Sequence, residues 1–424
     1  MLSTTPRGIA RVLGTVTGLL LIGLATPAHA IDLGFRDFQM HGFASQGYTY
    51  TSGNNFFGNS QDDGSLEFTE LGLNVLGHPW PNLLVAVQGL YRDTGGSDDE
   101  GFRLDYANFD LSLPVHDNLT LGIRAGRVKN PFGLYNEARD VIWTRPSVLL
   151  PQSIYFDSLA LREIELASDG GLLYGRFAFG DHALSAELVA SDPRANASGA
   201  TDFIVGFDSL GARGLEHAPG SLSGRLLLVG RAGYEWREGL VRLFFTAVDF
   251  DHDFESSSPT FPSGNAKVFA PLISAQLNLE QWSLTGEYLR IDTERSGFTI
   301  GGVPSENTSE SYYLQAQYRF APGWSALARY DALFLNIDDH DGSASARLSG
   351  FPRDRFFAKD LTFGLRWEFH EDWLVAAEYH NIDGTAWLSP IDNPGIFDFA
   401  NPARVREVSD GHWDLFTLMF SYRF

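Results

Sequence analysis

The last ten residues, LFTLMFSYRF (415–424), alternate apolar and polar side chains up to the end of the chain. One face carries Phe416, Leu418, Phe420, Tyr422 and Phe424. The other face carries Thr417, Met419, Ser421 and Arg423. Successive side chains of a strand point to opposite faces, so the stretch predicts a strand with one apolar side. Because chain ends usually fray in soluble domains, an aromatic final residue favours a strand that is held in a larger sheet.

The same two-residue period continues through the chain after residue 30, and no segment keeps a helical period. It predicts sixteen strands, at 38–50, 65–77, 82–93, 102–113, 118–128, 170–179, 182–191, 223–235, 238–250, 267–279, 282–293, 310–320, 323–337, 358–369, 372–382 and 411–424. Each is about the ten residues that a tilted strand needs to cross a bilayer.

The predicted connections alternate between tight turns and long loops. The tight turns include HPWP (78–81) and PVHD (114–117). The long connections are 51–64, 94–101, 129–169, 192–222, 251–266, 294–309, 338–357 and 383–410. This alternation and an even strand number are typical of a transmembrane antiparallel up-and-down β-barrel with both chain ends on the short-turn, periplasmic side. The terminal strand then closes the barrel against the first strand.

A repeated sequence frame supports this register. Two stretches, WSLTGEYLRID (282–292) and WLVAAEYHNID (373–383), share a Trp, a Glu-Tyr pair and an Ile-Asp pair at the same spacing. A third stretch, WSALARYDAL (324–333), keeps the spacing from Trp to Tyr. Each Trp opens a strand beside a short turn, as Trp80 and Trp236 also do. Amphipathic aromatics at these positions indicate an interfacial girdle, whereas an ordinary core would not place them all at the same turns.

The amino-terminal sequence predicts export. Arg7 and Arg11 precede an apolar run from Val12 to Ala25, and Ala28-His29-Ala30 follows, so residues 1–30 are expected to be a cleaved signal peptide. The run is too short for a membrane-spanning helix, which needs about 20 apolar residues. Residues 31–424 are then one barrel domain.

Composition excludes several classes of protein. The chain has no cysteine, three lysines and a formal net charge of −22, which disfavours nucleic-acid binding. No H-E-x-x-H, G-x-S-x-G or P-loop pattern is present, so we expect no enzyme, no cofactor and no cysteine-containing zinc site. A Ser-His-Asp arrangement stays open, because its members need not be neighbours in sequence.

The signal sequence, the sixteen strands, the alternating loops and the final Phe424 resemble the outer-membrane porin superfamily of double-membraned bacteria. GRVKNPFGLYNEARD (126–140) is similar to the segment that leads into the constriction loop of porins. The resemblance implies passive diffusion of small hydrophilic solutes, commonly through a homotrimer. It also implies recognition of Phe424 by the barrel-assembly machinery.

Sixteen strands leave an aqueous lumen, so we expect function to lie in inward-facing residues. The parity of each strand predicts a pore lining of Arg124, Arg176, Arg225, Arg231, Arg242, Glu287, Arg319, Arg329, Asp331, Arg366 and Glu378, with Thr120, Glu187 and His380 on the same side. An Arg that faced lipid near mid-bilayer would cost about 2–4 kcal/mol, which favours the inward assignment. Two explanations of these lining charges remain open. They could create a transverse electric field that filters solutes, or they could be charged simply because the wall is in contact with water.

The connection 129–169 is the longest and is unusually apolar. Because an apolar loop in water is costly, we expect it to fold into the barrel and narrow the lumen. Its charged residues would then meet the wall, and they are Arg139, Asp140, Arg145, Asp157, Arg162 and Glu163. A lid over the mouth and a contact between subunits are the alternatives.

The other long loops are acidic, with Asp62-Asp63, Asp98-Asp99-Glu100, Asp251 to Glu255 and Asp338 to Asp341. Divalent cations bridging these carboxylates to lipopolysaccharide phosphates are one hypothesis, and solvated loop tips without a metal are the other. The acidic mouth favours cations and the Arg wall favours anions, so we expect weak ion selectivity. A porin specific for an anion, an organic acid or a sugar, and a non-conducting structural or adhesin barrel, remain alternatives to a general channel.

Overall fold

Sixteen antiparallel strands form one closed barrel. The computed structural model describes residues 30–424 except 36, 62, 97–100, 158–161, 194–197, 207–208, 211–212, 214, 216 and 399–401, so residues 1–29 of the expected signal peptide lie outside it. Each strand pairs with its neighbours along the chain. The strands are β1 Gln39–Thr51, β2 Thr69–Trp80, β3 Leu83–Asp93, β4 Gly101–His116, β5 Leu119–Lys129, β6 Ala167–Phe179, β7 His182–Asp192, β8 Leu227–Trp236, β9 Val241–Ser256, β10 Gly264–Asn278, β11 Trp282–Ser296, β12 Ser305–Ala321, β13 Trp324–Phe334, β14 Phe357–His370, β15 Trp373–Gly384 and β16 His412–Arg423.

The two ends of the chain close the barrel. β16 pairs with β1 from Leu415 opposite Thr51 to Arg423 opposite Phe43. Phe424 extends this pairing, because its N–H donates to the carbonyl of Gly42 at 2.9 Å and its own carbonyl accepts from the Gly42 N–H at 3.1 Å. The predicted closure of the last strand against the first is therefore confirmed. A short strand, Ile31–Asp32, pairs with Gln39 and Met40 at the same end of β1.

Side chains alternate between the outside and the inside of the barrel along every strand. On β16, Leu418 is 41% exposed, whereas its neighbours Thr417 and Met419 are fully buried inside. The outward faces of the other strands are apolar in the same way, with Leu121, Ile123, Leu243, Phe245, Ile273, Phe363 and Leu365 exposed. An exposed apolar belt of this extent is the surface that a bilayer covers.

Aromatic side chains gather on the outer face at the short-turn end. Trp282 stacks on Tyr318, Trp324 stacks on Trp367, and Trp373 lies against Tyr422, with ring centroids 4.4 to 4.9 Å apart. In each pair, the first residue of one strand (Trp282, Trp324 or Trp373) lies opposite a residue near the end of the neighbouring strand. The sequence repeat therefore places its tryptophans in an aromatic girdle, as expected.

Strands β9 to β12 are longer than the sequence pattern suggested. They shorten the predicted loops 251–266 and 294–309 to residues 257–263 and 297–304. Asp251, Asp253 and Glu255 lie on β9, where they alternate with the buried His252 and Phe254. The acidic residues suggested a loop, but the strand continues because its inward face stays buried.

Helices occur only as short pieces of the long connections in the described part of the chain. The α-helices are α1 Arg162–Leu166, α2 Ser198–Val205, α3 Ser343–Ser349 and α4 Pro402–Val408. The 3-10 turns are Asn136–Ala138, Ile142–Thr144, Ile300–Gly302, Arg353–Phe356 and Pro394–Phe397. Among the described residues, every helix is too short or too polar to cross a membrane.

The long connections pack apolar residues against part of the inner wall. Ile142, Val148 and Leu149 of the connection after β5 join one buried cluster with Leu374 and Met419. A second cluster joins Ile154 and Tyr155 to the wall residues Leu272, Leu289 and Tyr313. A third joins Ile204, Val205 and Leu210, which follow β7, to Val189, Val229 and Phe250. The interior is therefore packed along part of its circumference rather than uniformly wet.

Candidate functional site

Residues 130–166, called here the long segment, are held by inward-facing side chains of the barrel wall. Glu378 on β15 accepts the backbone N–H groups of Val148 at 2.5 Å and Leu149 at 3.0 Å. Arg329 on β13 donates to the Leu149 carbonyl at 3.0 Å and to the Ser147 hydroxyl at 3.2 Å. Two residues predicted to line the pore therefore bind the segment instead of facing open solvent.

Glu287 on β11 holds the long segment at two separate points. Its carboxylate accepts the Tyr155 hydroxyl at 2.6 Å, the Leu134 N–H at 3.0 Å and, from the wall itself, the Tyr313 hydroxyl at 2.8 Å. Glu287 is 3% exposed, so a charged or polar contact here is sheltered from water. Buried carboxylates require several hydrogen bonds, and this one has them.

Two further wall residues complete the attachment. Asp331 on β13 accepts the hydroxyl and the backbone N–H of Ser153. Arg366 on β14 donates to the carbonyls of Ile142 and Arg145, both at 2.9 Å. Side chains of the wall strands β11, β13, β14 and β15 thus form hydrogen bonds with the segment at several points along its length.

Arg231 on β8 connects the wall to the opposite edge of the segment. Its guanidinium contacts Glu187 on β7 at 2.5 Å and Glu137 of the segment at 2.6 Å, and it donates to the Gly133 carbonyl at 3.2 Å. Unlike the other anchors, this group of charges is partly exposed. It therefore lies at the border between the packed and the wet parts of the interior.

Five of the six charged residues expected in a constriction loop form a buried ion network. They are Arg139, Asp140, Arg145, Asp157 and Arg162. Arg162 pairs with both Asp140 and Asp157, and Arg139 also pairs with Asp157. The other members are Glu70, Arg92, Asp105, Lys129 and Glu165. Glu163 lies in α1, but its side chain is outside the described residues.

The network joins the segment to two neighbouring wall strands. Arg145 pairs with Glu70 on β2 at 3.0 Å, and Asp157 pairs with Arg92 on β3 at 3.2 Å. Glu70 and Arg92 also pair with each other at 3.2 Å. Among the described ion pairs of the network, five cationic and five anionic side chains are named above, and each cation lies next to at least one carboxylate. Removing one member would leave an unpaired buried charge, which is strongly destabilising.

The network shifts the acidity of the segment's carboxyl groups in two directions. Arg92, Arg162 and Arg139 hold the pKa of Asp157 well below its usual range, although burial opposes them. Burial raises the pKa of Glu165 to about 7, and its ion pair with Arg139 only partly offsets this effect. The segment therefore contains one carboxyl group that takes up a proton near neutral pH.

A second group of predicted lining residues lies on β5 to β9, closer to the short turns than the apolar cluster that contains Val189, Val229 and Phe250. Arg124 on β5 pairs with Asp110 on β4 at 2.9 Å and keeps 27% of its side chain exposed. Nearer the short turns, Arg176 on β6 and Arg242 on β9 both approach Glu235 on β8 at 3.6 Å. Paired charges that stay partly exposed therefore lie on β4 to β9.

The remaining predicted residues lie at the ends of the barrel. Arg319 is exposed near the short turns, where it donates to the carbonyls of Leu279 and Glu280. Arg225 lies outside the barrel strands, beyond the short strand Gly220–Gly224, with its side chain 84% exposed and 3.9 Å from Asp251. The sequence parity placed it in the wall because the strand was expected to start four residues earlier.

Sequence reasoning missed Glu70, Arg92, Asp105 and Lys129 as partners of the segment. The first two lie directly opposite each other on β2 and β3, where both side chains point inward. Their charge pairing across neighbouring strands was a readable signal once the register was set. The anchoring role of Glu287, Arg329 and Glu378 was also missed, although all three occupy the same position in the Trp-to-Tyr frame.

The acidic loops have structural partners where the structure describes them. Asp339 accepts the N–H groups of Ala344 and Ser345 at the start of α3, which lowers its pKa to about 2. Asp62, Asp98, Asp99 and Glu100 lie outside the described residues. In the described part of the chain, the group geometrically able to hold a metal is His370, Glu371 and Asp372, on a short turn rather than a long loop.

Structural comparison finds the same architecture in solved outer-membrane proteins. The outer-membrane channel DcaP of Acinetobacter baumannii matches with a TM-score of 0.57 and 11% identity over 94% of this chain and 100% of that chain. OmpF of Salmonella typhi, solved in complex with daunomycin, matches with a TM-score of 0.55 and 11% identity over 93% of this chain and 100% of that chain. OmpT, an outer membrane protein of Vibrio cholerae, matches with a TM-score of 0.53 and 8% identity over 94% of this chain and 100% of that chain.

These likenesses establish the fold of this chain, which is the sixteen-stranded barrel of bacterial outer-membrane porins. No protein-family model and no curated protein sequence matches the chain.

Proposed function

We propose that this chain is a channel of the bacterial outer membrane, through which small hydrophilic solutes and ions diffuse passively. The observation that carries the proposal is the set of partly exposed, paired charged side chains on β4 to β9, inside a barrel whose outer face is apolar. Sixteen strands enclose a lumen that side chains of the wall alone do not fill. The expected role involves no enzyme chemistry.

In this proposal the long segment lies within the lumen and narrows it from one side. Its anchors on β11 to β15 and its ion pairs with β2 and β3 support this placement. The open path then runs past Arg124 on β5, and the Arg231 bridge between Glu187 of the wall and Glu137 of the segment closes it on one side. Arg231 bounds this path.

The expected ion selectivity is weak. Arg124, Arg176, Arg231 and Arg242 each have a carboxylate partner within 4 Å, so the net field along the path is small. A reversal potential measured under a salt gradient tests this, and a strong preference for either sign of ion contradicts it.

Planar-bilayer recording of the purified protein tests the channel itself. Ohmic conductance steps support a diffusion channel, steps that one solute blocks support a substrate-specific porin, and a silent bilayer supports a non-conducting structural barrel. The buried apolar clusters inside the barrel are the observation that favours a non-conducting barrel.

Cysteine scanning tests the location of the path, because the chain has no cysteine of its own. We expect a charged thiol reagent to reduce conductance through Thr120→Cys and Ser185→Cys, which lie on the inner face of β5 and β7. Thr362→Cys, which is fully buried on β14, is the matched control and should not respond. The opposite pattern would place the path elsewhere.

The wider assignments belong to the same proposal. Cleavage after Ala30 is tested by amino-terminal sequencing of the protein from outer membranes. A homotrimer is tested by cross-linking in membranes, and OmpT of Vibrio cholerae has been solved in a trimer form. Lipopolysaccharide contact at the long loops and recognition of Phe424 by the barrel-assembly machinery are the remaining expectations.

A further inference from the structure

A cleft of about 210 Å³ opens at the long-loop end of the barrel, away from the lumen anchors. It lies between the connection after β1 and the connection after β15. Its polar lining comes from Asn54, Asn55, Gln61, Asp392, Asn393 and Asp410. Its apolar lining comes from Pro394, Ile396 and Val408. The cleft plays no part in the channel function proposed above.

Side-chain amides fix the two walls of the cleft to each other. Asn393 accepts the backbone N–H of Asn55 and donates to the Asn55 carbonyl, both at 2.8 Å. Asn54 donates to the Asp410 carbonyl at 2.8 Å, so a third bond joins the same two connections. Because these contacts exist without a ligand, a ligand would bind to a preformed site and order little of the chain.

Other groups of the cleft remain available. The Gln61 side chain is exposed, and Asp410 is exposed beyond the single hydrogen bond that its carboxylate accepts from the His412 N–H. Val408 is 47% exposed at the same place. An amide offers donors and acceptors, a carboxylate offers acceptors, and an apolar side chain offers a surface for C–H groups.

We propose that this cleft binds one ring of a saccharide. Vicinal hydroxyl groups both donate and accept hydrogen bonds, so they match an amide beside a carboxylate, and the C–H face of the ring matches Val408 and Pro394. An anionic ligand fits poorly, because the lining has two carboxylates and no Lys or Arg. A hard cation also fits poorly, because one Asp392 oxygen already accepts the Gly96 N–H at 2.9 Å.

The cleft faces the side of the long loops, where two sources of saccharide meet an outer-membrane protein. One is the polysaccharide of neighbouring lipopolysaccharide, and the other is free sugar in the medium. The chemistry of recognition is the same for both, so binding experiments have to separate them.

Saturation-transfer NMR on the detergent-solubilised protein tests the proposal. One arm uses a panel of free hexoses and hexosamines, and the other uses lipid-free core oligosaccharide prepared from lipopolysaccharide. Transfer to ring protons of either ligand is the expected result, and the arm that shows it identifies the source. An absence of transfer in both arms overturns the proposal.

Variants locate the bound ring. Gln61→Ala and Asp410→Asn are expected to weaken binding by about fivefold each, the loss typical of one neutral hydrogen bond. Gln281→Ala, on a short turn at the other end of the barrel, is the matched control and should bind as wild type does. Equal affinity in all four proteins overturns the assignment of the cleft. An unchanged temperature of thermal unfolding in the variants shows that the barrel is intact, whether or not the protein conducts.

Discussion

The Tyr155 hydroxyl donates to the Glu287 carboxylate at 2.6 Å, and these two residues lie 132 positions apart in the chain. The contact joins the long segment to the middle of β11, and Glu287 accepts the Leu134 N–H as well. One wall carboxylate therefore fixes two separate points of a connection that has little regular structure of its own.

Replacing Glu287 by Ala should loosen the long segment. The change leaves the Tyr155 and Tyr313 hydroxyls without the acceptor that they share, at a cost of about 1–3 kcal/mol for each buried group. We expect larger and noisier single-channel conductance together with a lower temperature of thermal unfolding. Glu306→Ala is a suitable control, because Glu306 is an exposed residue near the start of β12. Wild-type conductance in Glu287→Ala would show that this anchor does not hold the segment.

Replacing Arg231 by Ala should widen the hydrated path without loosening the packed anchors. The change frees Glu137 and Glu187 from their shared cation, so the local charge becomes more negative. Conductance and cation preference are both expected to rise, as measured by the reversal potential under a salt gradient. Arg237→Ala provides the comparison, since Arg237 lies on an exposed short turn. A fall in conductance would mean that Arg231 does not bound the path.

Proton uptake by Glu165 should strengthen the attachment of the segment as the pH falls. The pKa of Glu165 rises from the ordinary 4.5 to about 7 in the folded protein, so folding favours its protonated form. That stabilisation is complete below about pH 4.5 and is lost as the pH rises through 7, with an upper bound of about 3 kcal/mol. Hydrogen exchange of residues 130–166, corrected for intrinsic rates, is therefore expected to be slower at pH 5 than at pH 8.

Two comparisons make this pH dependence specific. Glu165→Gln should show the same protection at both pH values, and a persistent difference would assign the effect to another group. Asp157 behaves in the opposite sense, because its pKa is lowered in the folded protein. Its contribution is present above its ordinary pKa of 3.8 and is lost in stronger acid. We therefore expect protection to decrease again at the acid extreme.

Replacing Gly42 by Leu should disturb closure of the barrel. A Cβ atom at Gly42 would lie 2.5 Å from the ring of Phe424, so that ring has to move. Overpacking of this kind costs about 1–3 kcal/mol, and we expect a lower unfolding temperature and less protein in the outer membrane. Gly230→Leu is the matched control, because no atom lies within 4 Å of its added Cβ. Equal behaviour of both variants would mean that Phe424 packing is unimportant.

The barrel itself was predictable from sequence because its dominant signal is local. Alternation along each strand and the two kinds of connection depend on neighbouring residues, and all sixteen predicted strands are present. The strand ends were less predictable at β9, where the acidic residues Asp251 and Asp253 lie on the outer face of a strand whose inner face stays buried. An acidic stretch of sequence suggests a loop unless the burial of the residues that alternate with it is known.

The interior was only half predictable for a related reason. Parity predicts which residues point inward, and Glu287, Arg329 and Glu378 are buried in the structure. It does not identify which of them the long segment covers, because that depends on contacts between residues more than 100 positions apart. The Glu or Arg before the Tyr of the repeated frame marks these three anchors, and this coincidence became visible only with the contacts in place.

The long segment is attached differently to different parts of the wall, and this separates two properties of the protein. Residues on β11 to β15 bind backbone groups of the segment, while Arg124 on β5 and Arg176 on β6 pair with the wall carboxylates Asp110 and Glu235. An engineer could therefore change the charge of one half of the circumference to alter which molecules are admitted, and leave the half that gives the interior its shape untouched.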